Sequence, residues 1–372
     1  MGDKMRFFSA VSVLVGTCIG AGVLGIPYVA AKAGFFISLA YIFLVAGIIL
    51  LLNLYLGEVV LRTKGNHQIA GYAEKYLGKR WKLIAQISMF FGIYSAIIAY
   101  LLGVGSSFSF LFFKDFRYTL LFGGIFGILM SGLLYRGMKS LKKFERIGVG
   151  IILVLIIFIF IMFFNSIEYV NFIFYDFHSL FLPFGVILFA LMSFYAIPEL
   201  KIILSRNKKL LKNSIITGTF ISVIFYALFS FVVVGYMGRN TPEVATLALG
   251  TVFIVLGILT MFTSYLALGN ALIENLEFDE KVGKFKSWFL VSIVPIILFF
   301  IIEYFGVFSF TMILSIGGVV AGGLIAIVVL FMTKSAKKNG DRNPEYSVPI
   351  NWFVVFFLSF IFILGMVLEF VL

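Results

Sequence analysis

The sequence predicts an all-α polytopic membrane protein with eleven transmembrane helices. Three observations predict this class: 62% of the 372 residues are hydrophobic, only 12% are charged, and Lys and Arg cluster in alternate connecting segments. A soluble domain is nearer half apolar and a quarter charged. No soluble fold of this length would hide so much apolar surface. The net charge of +12 therefore indicates membrane orientation and not a nucleic-acid partner.

Eleven segments are apolar over roughly the 20 residues that cross a bilayer. The fourth and ninth are short. In chain order they cover residues 7–31, 36–61, 83–112, 120–135, 147–164, 180–197, 215–237, 244–272, 288–302, 306–332 and 350–370.

The positive charges support this number of spans. If the N-terminus is cytoplasmic, 25 of the 29 Lys and Arg residues fall in cytoplasmic segments, and only Lys32, Lys114, Arg117 and Arg239 fall outside. Cytoplasmic loops carry such an excess, and one span more or fewer would scramble the alternation. We therefore expect a multi-pass plasma-membrane protein with a cytoplasmic N-terminus and an external C-terminus.

The first span is predicted to be broken. It carries Gly16, Gly20, Gly22, Gly25 and Pro27 within one apolar stretch, and both residue types weaken a helix interior. Backbone groups freed inside hydrocarbon need other partners, which in secondary transporters are a substrate or a coupling ion. Close helix packing through Gly16 and Gly20 is the alternative interpretation.

The sixth span is predicted to be broken as well. It carries Pro183 and Gly185, and ends in Ser193, Phe194, Tyr195, Ala196, Ile197, Pro198 and Glu199. Each of the two spans that are predicted to be broken is the first of five consecutive spans. Because five is an odd number, the second set of five spans crosses the membrane in the opposite orientation to the first. The prediction is a 5+5 inverted repeat, residues 1–164 and 180–332, with one extra helix at 350–372.

Three motifs resemble a known family. The run from Gly16 to Pro27, followed by Ala33-Gly34-Phe35, resembles the first-span signature of the amino acid permeases of the aromatic amino acid (tryptophan/tyrosine) family. The related amino acid/auxin permease family is similar there, and both belong to the amino acid–polyamine–organocation superfamily. Thr263 to Gly269 resembles the eighth span of the former, and Ile197 to Leu200 the end of the sixth span in both.

The resemblance implies the fold of the bacterial leucine transporter and cation-driven uptake of an amino acid. We expect a secondary active symporter that works by alternating access. A proton-coupled permease and an amino acid sensor that keeps the transporter fold are the alternatives. A channel would need a ring of acids or a filter-like repeat, and a membrane enzyme a catalytic motif such as H-E-x-x-H, and the sequence has none of these.

A broken helix offers N–H donors to the carboxylate of an amino acid and C=O acceptors to its ammonium. The donors would be Ala21 and Gly22, with Gly20 adjacent, and the acceptors would lie near Cys18 and Phe194. No charged residue lies mid-span in spans one, three, six or eight, which favours a neutral substrate. The small Ala21, Gly22 and Ala196 leave room for an aromatic or branched side chain. The expected pocket adds Ser193, Phe194, Tyr195 and Ala196 of span six to Tyr94 and Ser95 of span three, with Tyr100 also able to face it.

A coupling ion is expected between spans one and eight. Thr260, Thr263 and Ser264 share one helical face, although their hydroxyls could instead bond back to carbonyls of their own helix. The resemblance implies a sodium site that adds the carbonyls of Gly16 and Ile19 to these three residues. In some proton-driven relatives, the resemblance implies, a lysine from span five occupies this site instead. Span five carries no lysine in its apolar body here, residues 148–164, which favours sodium, and a proton is the alternative.

The remaining expectations concern partners. We expect no cofactor beyond the coupling ion, contact with the lipid bilayer and an amino acid, no nucleic acid, and a monomer. Glu58, Glu199 and Glu274 lie near predicted cytoplasmic ends of spans. They are expected to form ion pairs with neighbouring cations, and a gate or proton relay is the alternative.

Overall fold

The computed structural model describes residues 2–371 except 138–149, 151–153 and 155–157. All regular secondary structure in these residues is helical. Nine helical segments in the described ranges are long and apolar enough to cross a membrane, and three of these, Leu182–Ile203, Lys284–Phe305 and Phe310–Asn339, each contain two α-helices. A tenth span results if the bent pair of helices at the N-terminus counts as one. The predicted all-α membrane class is confirmed. Half of the predicted fifth span, 147–164, lies outside the described residues, and residues 158–163 of it are helical.

Fifteen α-helices have bounds in the described residues. In order they are α1 Asp3–Cys18, α2 Ala21–Ala33, α3 Phe35–Arg62, α4 Ile69–Leu77, α5 Lys79–Phe113, α6 Thr119–Arg136, α7 Leu182–Leu191, α8 Ala196–Ile203, α9 Leu210–Met237, α10 Thr251–Glu274, α11 Lys284–Trp288, α12 Val294–Phe305, α13 Phe310–Gly317, α14 Gly323–Asn339 and α15 Trp352–Val371.

Three π-helical turns and five 3₁₀ turns complete the description. The π turns follow α10, join α11 to α12 and join α13 to α14, at Asn275–Asp279, Phe289–Ile293 and Gly318–Gly322. The 3₁₀ turns are Phe164–Ser166, Tyr169–Phe172, Phe177–Ser179, Gly238–Asn240 and Ala245–Ala248.

The start of the predicted eighth span, residue 244, is wrong. Ala245–Ala248 form a separate 3₁₀ turn, and α10 begins only at Thr251. Gly250 between them has φ +92°, a conformation that a residue with a side chain rarely adopts. The apolar composition of 244–250 concealed this turn.

The chain leaves helical geometry between α1 and α2. The first interruption consists of Ile19 and Gly20, and the two helix axes differ by 52° across it. A Cβ atom on Gly20 would lie 2.7 Å from the Tyr100 hydroxyl. Glycine makes room here for a side chain from α5 that approaches the backbone closely.

The chain leaves helical geometry a second time between α7 and α8. The second interruption covers residues 192–195, and helix resumes at Ala196 with Pro198 in its first turn. Proline is tolerated in a first turn because the missing N–H has no helical acceptor there.

The two interrupted helices pack against each other. α2 lies along α7, α1 lies against α8 and α9, and α3 contacts both α7 and α8. A Cβ atom on Gly22 would come within 2.5 Å of the Ala190 Cα atom. Such backbone-to-backbone approach is typical of small residues in membrane helices, and it places both interruptions in one buried region.

Candidate functional site

The site is built from the free backbone groups at the two interruptions. Each helix end leaves N–H or C=O groups without partners inside the helix, and buried groups of this kind are almost always bonded elsewhere. Four neighbouring helices supply partners here: α3, α5, α9 and α10.

The carbonyl at the end of α1 is held by a tyrosine. The Cys18 carbonyl accepts the Gly20 N–H at 3.0 Å and the Tyr226 hydroxyl at 2.7 Å. Tyr226 lies on α9 and is fully buried. The same hydroxyl also lies 2.7 Å from the Ala190 carbonyl near the end of α7, so one side chain joins the two interrupted helices.

The Ile19 carbonyl faces α10. It accepts a hydrogen bond from the Ser264 hydroxyl at 3.4 Å. Thr260 donates to the Gly257 carbonyl at 2.8 Å, and Thr263 donates to carbonyls of its own helix.

The structure therefore brings together two of the five predicted ion ligands, Ile19 and Ser264. It places Thr260 close by, beside a small cavity that Ile19 also borders. The bonds described for the Thr260 and Thr263 hydroxyls match the alternative of bonding within their own helix. No hydrogen bond described here joins Gly16 to the other four residues.

The first backbone N–H of α2, which has no acceptor within the helix, bonds to a side chain of α5. The Tyr100 hydroxyl bonds to the Ala21 backbone N–H and to the Ser264 side chain. Tyr100 is buried, as are Gly20, Ala21 and Gly22. The predicted carboxylate donors thus lie at a helix N-terminus, where the macrodipole favours negative charge.

A hydrogen-bonded chain runs into the end of α7. The Asn53 amide on α3 donates to the Ser193 hydroxyl at 2.8 Å, and Ser193 donates to the Leu191 carbonyl at 3.3 Å. The Cys18 thiol lies 4.0 Å from the same carbonyl. Asn53 is fully buried and its Oδ1 has no hydrogen-bond partner among the described residues, so unused acceptor capacity remains there.

Among the other predicted residues of the second interruption, Phe194 and Ala196 are buried and Tyr195 is partly buried. Phe194 is fully enclosed, and the Ala196 N–H closes a turn onto the Ser193 carbonyl at 3.1 Å. The Tyr195 hydroxyl is buried without a described partner, and it lies 3.0 Å from the position that a Cβ atom on Gly92 would occupy. Tyr195 therefore points toward α5.

Tyr94 and Ser95 border a different space. Both line a cavity of about 750 Å³ between α5, α12 and α13, which we call the lateral cavity. The Tyr94 hydroxyl donates to the Leu290 carbonyl at 2.6 Å, within the π turn that follows α11. The residues that line the lateral cavity include none from either interruption.

The cavity at the first interruption is small. Ile19, Val23 and Thr260 border a space of about 20 Å³, which is enough for one water molecule or one ion. An amino acid does not fit there.

Tyr226 was not among the residues predicted from the sequence. A signal was present, because Thr219, Ser222, Tyr226 and Ser230 recur at helical spacing along α9, and all four are buried. A polar stripe on one face of an apolar helix indicates a face turned to the protein interior.

Glu58 forms the hub of a second polar cluster, at the predicted cytoplasmic end of α3. Its fully buried carboxylate accepts from Arg62 and Lys337, both at 2.8 Å, from Ser347 at 2.9 Å and from the Val348 N–H at 2.8 Å. The ion-pair interpretation of Glu58 is therefore confirmed.

The segment 340–351 lies across this end of the molecule, and we call it the strap. The Tyr346 hydroxyl donates to the Leu54 carbonyl at 2.8 Å, and the Asp341 carboxylate accepts from the Lys64 N–H at 2.8 Å and from the Lys75 ammonium. These bonds hold the strap on α3 and α4.

Comparisons with known proteins identify a family and two relatives. The sequence profile of the tryptophan/tyrosine permease family matches residues 3–247. The chain is 26% identical to the tyrosine-specific transport system 1 of Haemophilus influenzae over 315 residues, 77% of this chain and 78% of that protein. It is 22% identical to glutamine transporter 2 of Aliivibrio fischeri over 313 residues, 79% and 81% of the two chains. The resemblance inferred from the motifs is confirmed.

Proposed function

Because the chain belongs to the tryptophan/tyrosine permease family, it is a membrane transporter and not an enzyme, and we propose that it is a cation-coupled symporter for a neutral amino acid. Similar chains include a tyrosine and a glutamine transport protein, and both names describe neutral amino acids. Uptake would be secondary active and would proceed by alternating access.

One observation carries the proposal: two apolar segments leave helical geometry side by side, and the freed backbone groups point into one buried region. Ala21 N–H supplies a donor at a positive helix end, and the Cys18 and Ala190 carbonyls supply acceptors at negative helix ends. An amino acid backbone presents the complementary carboxylate and ammonium.

The charge pattern supports a neutral substrate. The sequence has no Asp, Glu, Lys or Arg in residues 7–31 or 180–198, the two stretches that contain the interruptions. A cationic or anionic side chain of the substrate would lack a counter-charge from these stretches. The choice between tyrosine-like and glutamine-like side chains is open to measurement.

The proposed coupling ion is sodium, bound between α1 and α10. The Ile19 carbonyl and the Ser264 hydroxyl already lie 3.4 Å apart. A hydroxyl that donates its proton to a carbonyl keeps lone pairs that can bind a cation. Thr260, Thr263 and the Gly16 carbonyl would complete an all-oxygen site after a small rearrangement.

We further propose eleven spans in a 5+5 inverted repeat of the bacterial leucine transporter type, with α1 and α2 as one broken span and α7 and α8 as the other. The ten spans in the described residues support this arrangement: four of them, the first broken, precede the second broken span, and the predicted span 147–164 would complete the first run of five. Rocking of one repeat against the other about the central site would give alternating access.

Uptake into proteoliposomes tests the proposal. Purified protein is assayed with a panel of labelled amino acids, with a sodium gradient and a pH gradient imposed separately. We expect concentrative uptake of a neutral amino acid that depends on the sodium gradient. Uptake driven only by the pH gradient would reject sodium, and the absence of uptake with every amino acid and both gradients would reject the function.

A further inference from the structure

The inference concerns Tyr226, whose hydroxyl lies where two helix ends converge. It is 2.7 Å from the Cys18 carbonyl at the end of α1 and 2.7 Å from the Ala190 carbonyl near the end of α7. The ring is fully buried. In a continuous helix the Ala190 carbonyl would bond to the N–H of Phe194, which lies beyond the end of α7.

The Cys18 carbonyl also accepts the Gly20 N–H at 3.0 Å, but the Tyr226 hydroxyl cannot donate to both carbonyls at once. A phenol has one hydrogen to donate, and each carbonyl stands at a helix C-terminus with partial negative charge. An ammonium group carries three hydrogens and a positive charge, so it is the better partner for two such acceptors. The arrangement is therefore an incompletely satisfied cation site that a neutral group occupies.

We propose that the Tyr226 hydroxyl is a placeholder for the amino group of the transported amino acid, and that the substrate displaces it on binding. The inference rests on the proposed function and adds a residue to it. In the closed arrangement the hydroxyl bridges two buried carbonyls, one of which also accepts the Gly20 N–H, and this bridge stabilises the closed arrangement. On binding, the ammonium takes these carbonyls and the hydroxyl gives them up.

A placeholder and a structural tie predict opposite effects of Tyr226→Phe. Without its hydroxyl, a placeholder no longer competes, so affinity for the amino acid rises. A tie that only positions the two helices would, when removed, weaken every ligand of the site alike. A ligand without an amino group separates the two, because it never competes with the hydroxyl.

The experiment measures dissociation constants of L-tyrosine and L-glutamine and of their deamino analogues, 3-(4-hydroxyphenyl)propionate and 4-carbamoylbutanoate. We expect Tyr226→Phe to bind the amino acid about tenfold more tightly than wild type, with unchanged affinity for the analogue. Tyr265→Phe is the matched control, because Tyr265 is fully buried and its hydroxyl has no described partner. We expect it to change neither constant.

A second variant covers the case in which Tyr226→Phe fails to fold. Site-specific 3-fluorotyrosine at position 226 keeps the ring and the hydroxyl but donates a stronger hydrogen bond. We expect it to bind the amino acid several-fold more weakly and the analogue unchanged. The placeholder proposal alone is overturned if a variant binds the amino acid and the analogue more weakly by the same factor, or if neither variant changes either dissociation constant. Wild-type protein that binds none of the twenty proteinogenic amino acids overturns the proposed function and the placeholder with it.

Discussion

Gly20 and Gly22 are both small residues of one motif, yet the structure gives them different roles. A Cβ atom on Gly20 would meet the Tyr100 and Ser264 hydroxyls, at 2.7 and 3.2 Å. A Cβ atom on Gly22 would meet the backbone of Ala190 at 2.5 Å. The first glycine makes room for polar partners of the interruption, and the second lets two helices touch.

We therefore expect Gly20→Ala to impair substrate binding and Gly22→Ala to impair folding. Gly20→Ala displaces the ends of side chains that can move, so the fold should persist while affinity falls by about tenfold or more. Gly22→Ala forces α2 and α7 apart and should cost about 1–3 kcal/mol of folding free energy. Substrate affinity and thermal unfolding of both purified variants check this contrast. Equal unfolding temperatures for the two variants would contradict it.

A substitution at Ser264 tests the proposed sodium site at the residue scale. Ser264→Ala removes the hydroxyl that faces the Ile19 carbonyl. We expect the sodium concentration for half-maximal uptake to rise about tenfold. Ser214→Ala is the matched control, because Ser214 is equally buried but bonds to the Leu210 carbonyl of its own helix. Unchanged sodium dependence in Ser264→Ala would place the ion elsewhere.

At the scale of elements, the sequence signals for the two interruptions are local. Gly20 lies within the first stretch that leaves helical geometry, and Pro198 lies just beyond the second. The partners of the freed groups were harder to predict, because Tyr226 is brought to Cys18 only by the packing of α9 on α1. The position of Tyr94 was hard to predict for the same reason: only the tertiary structure shows that its hydroxyl reaches Leu290, in the π turn before α12.

The strap is a second element with measurable consequences. Glu58 is fully buried with two cations and two further donors, and loss of its charge leaves the cations uncompensated. We expect Glu58→Gln to lower the free energy of unfolding by about 2 kcal/mol or more. Glu74→Gln, which removes one partner of a partly exposed pair with Lys82, should cost less than about 0.5 kcal/mol. Equal melting temperatures for the two variants would contradict a role of Glu58 in holding the strap.

Asp341 gives the strap a pH dependence. The Lys75 ammonium and the Lys64 N–H hold the pKa of Asp341 below its ordinary value. A lowered pKa contributes stability above the ordinary value of about 3.9, and this contribution is lost as the pH falls through the lowered pKa. Wild type should therefore melt above Asp341→Asn at pH 7, and the difference should shrink as the pH approaches 3. A difference that stays constant across this range would show that the carboxylate charge is not involved.

At the scale of the whole molecule, hydropathy and charge alternation predicted the spans that the structure describes. These patterns reflect the bilayer, which acts on every residue of a span in the same way. The sequence could not show how far the site is closed. That depends on side chains from α5, α9 and α10 that meet the interruptions only in the folded protein, where Tyr100, Tyr226 and Ser264 bond to the freed backbone groups.

The central claim is that the backbone of the two interruptions binds an amino acid. An experimental structure with the transported amino acid bound tests it most directly. The account predicts the carboxylate at the N–H groups of Ala21 and Gly22, and the ammonium at the carbonyls of Cys18 and Ala190. An amino acid in the lateral cavity beside Tyr94, with both interruptions still bonded to their tyrosine partners, would contradict it.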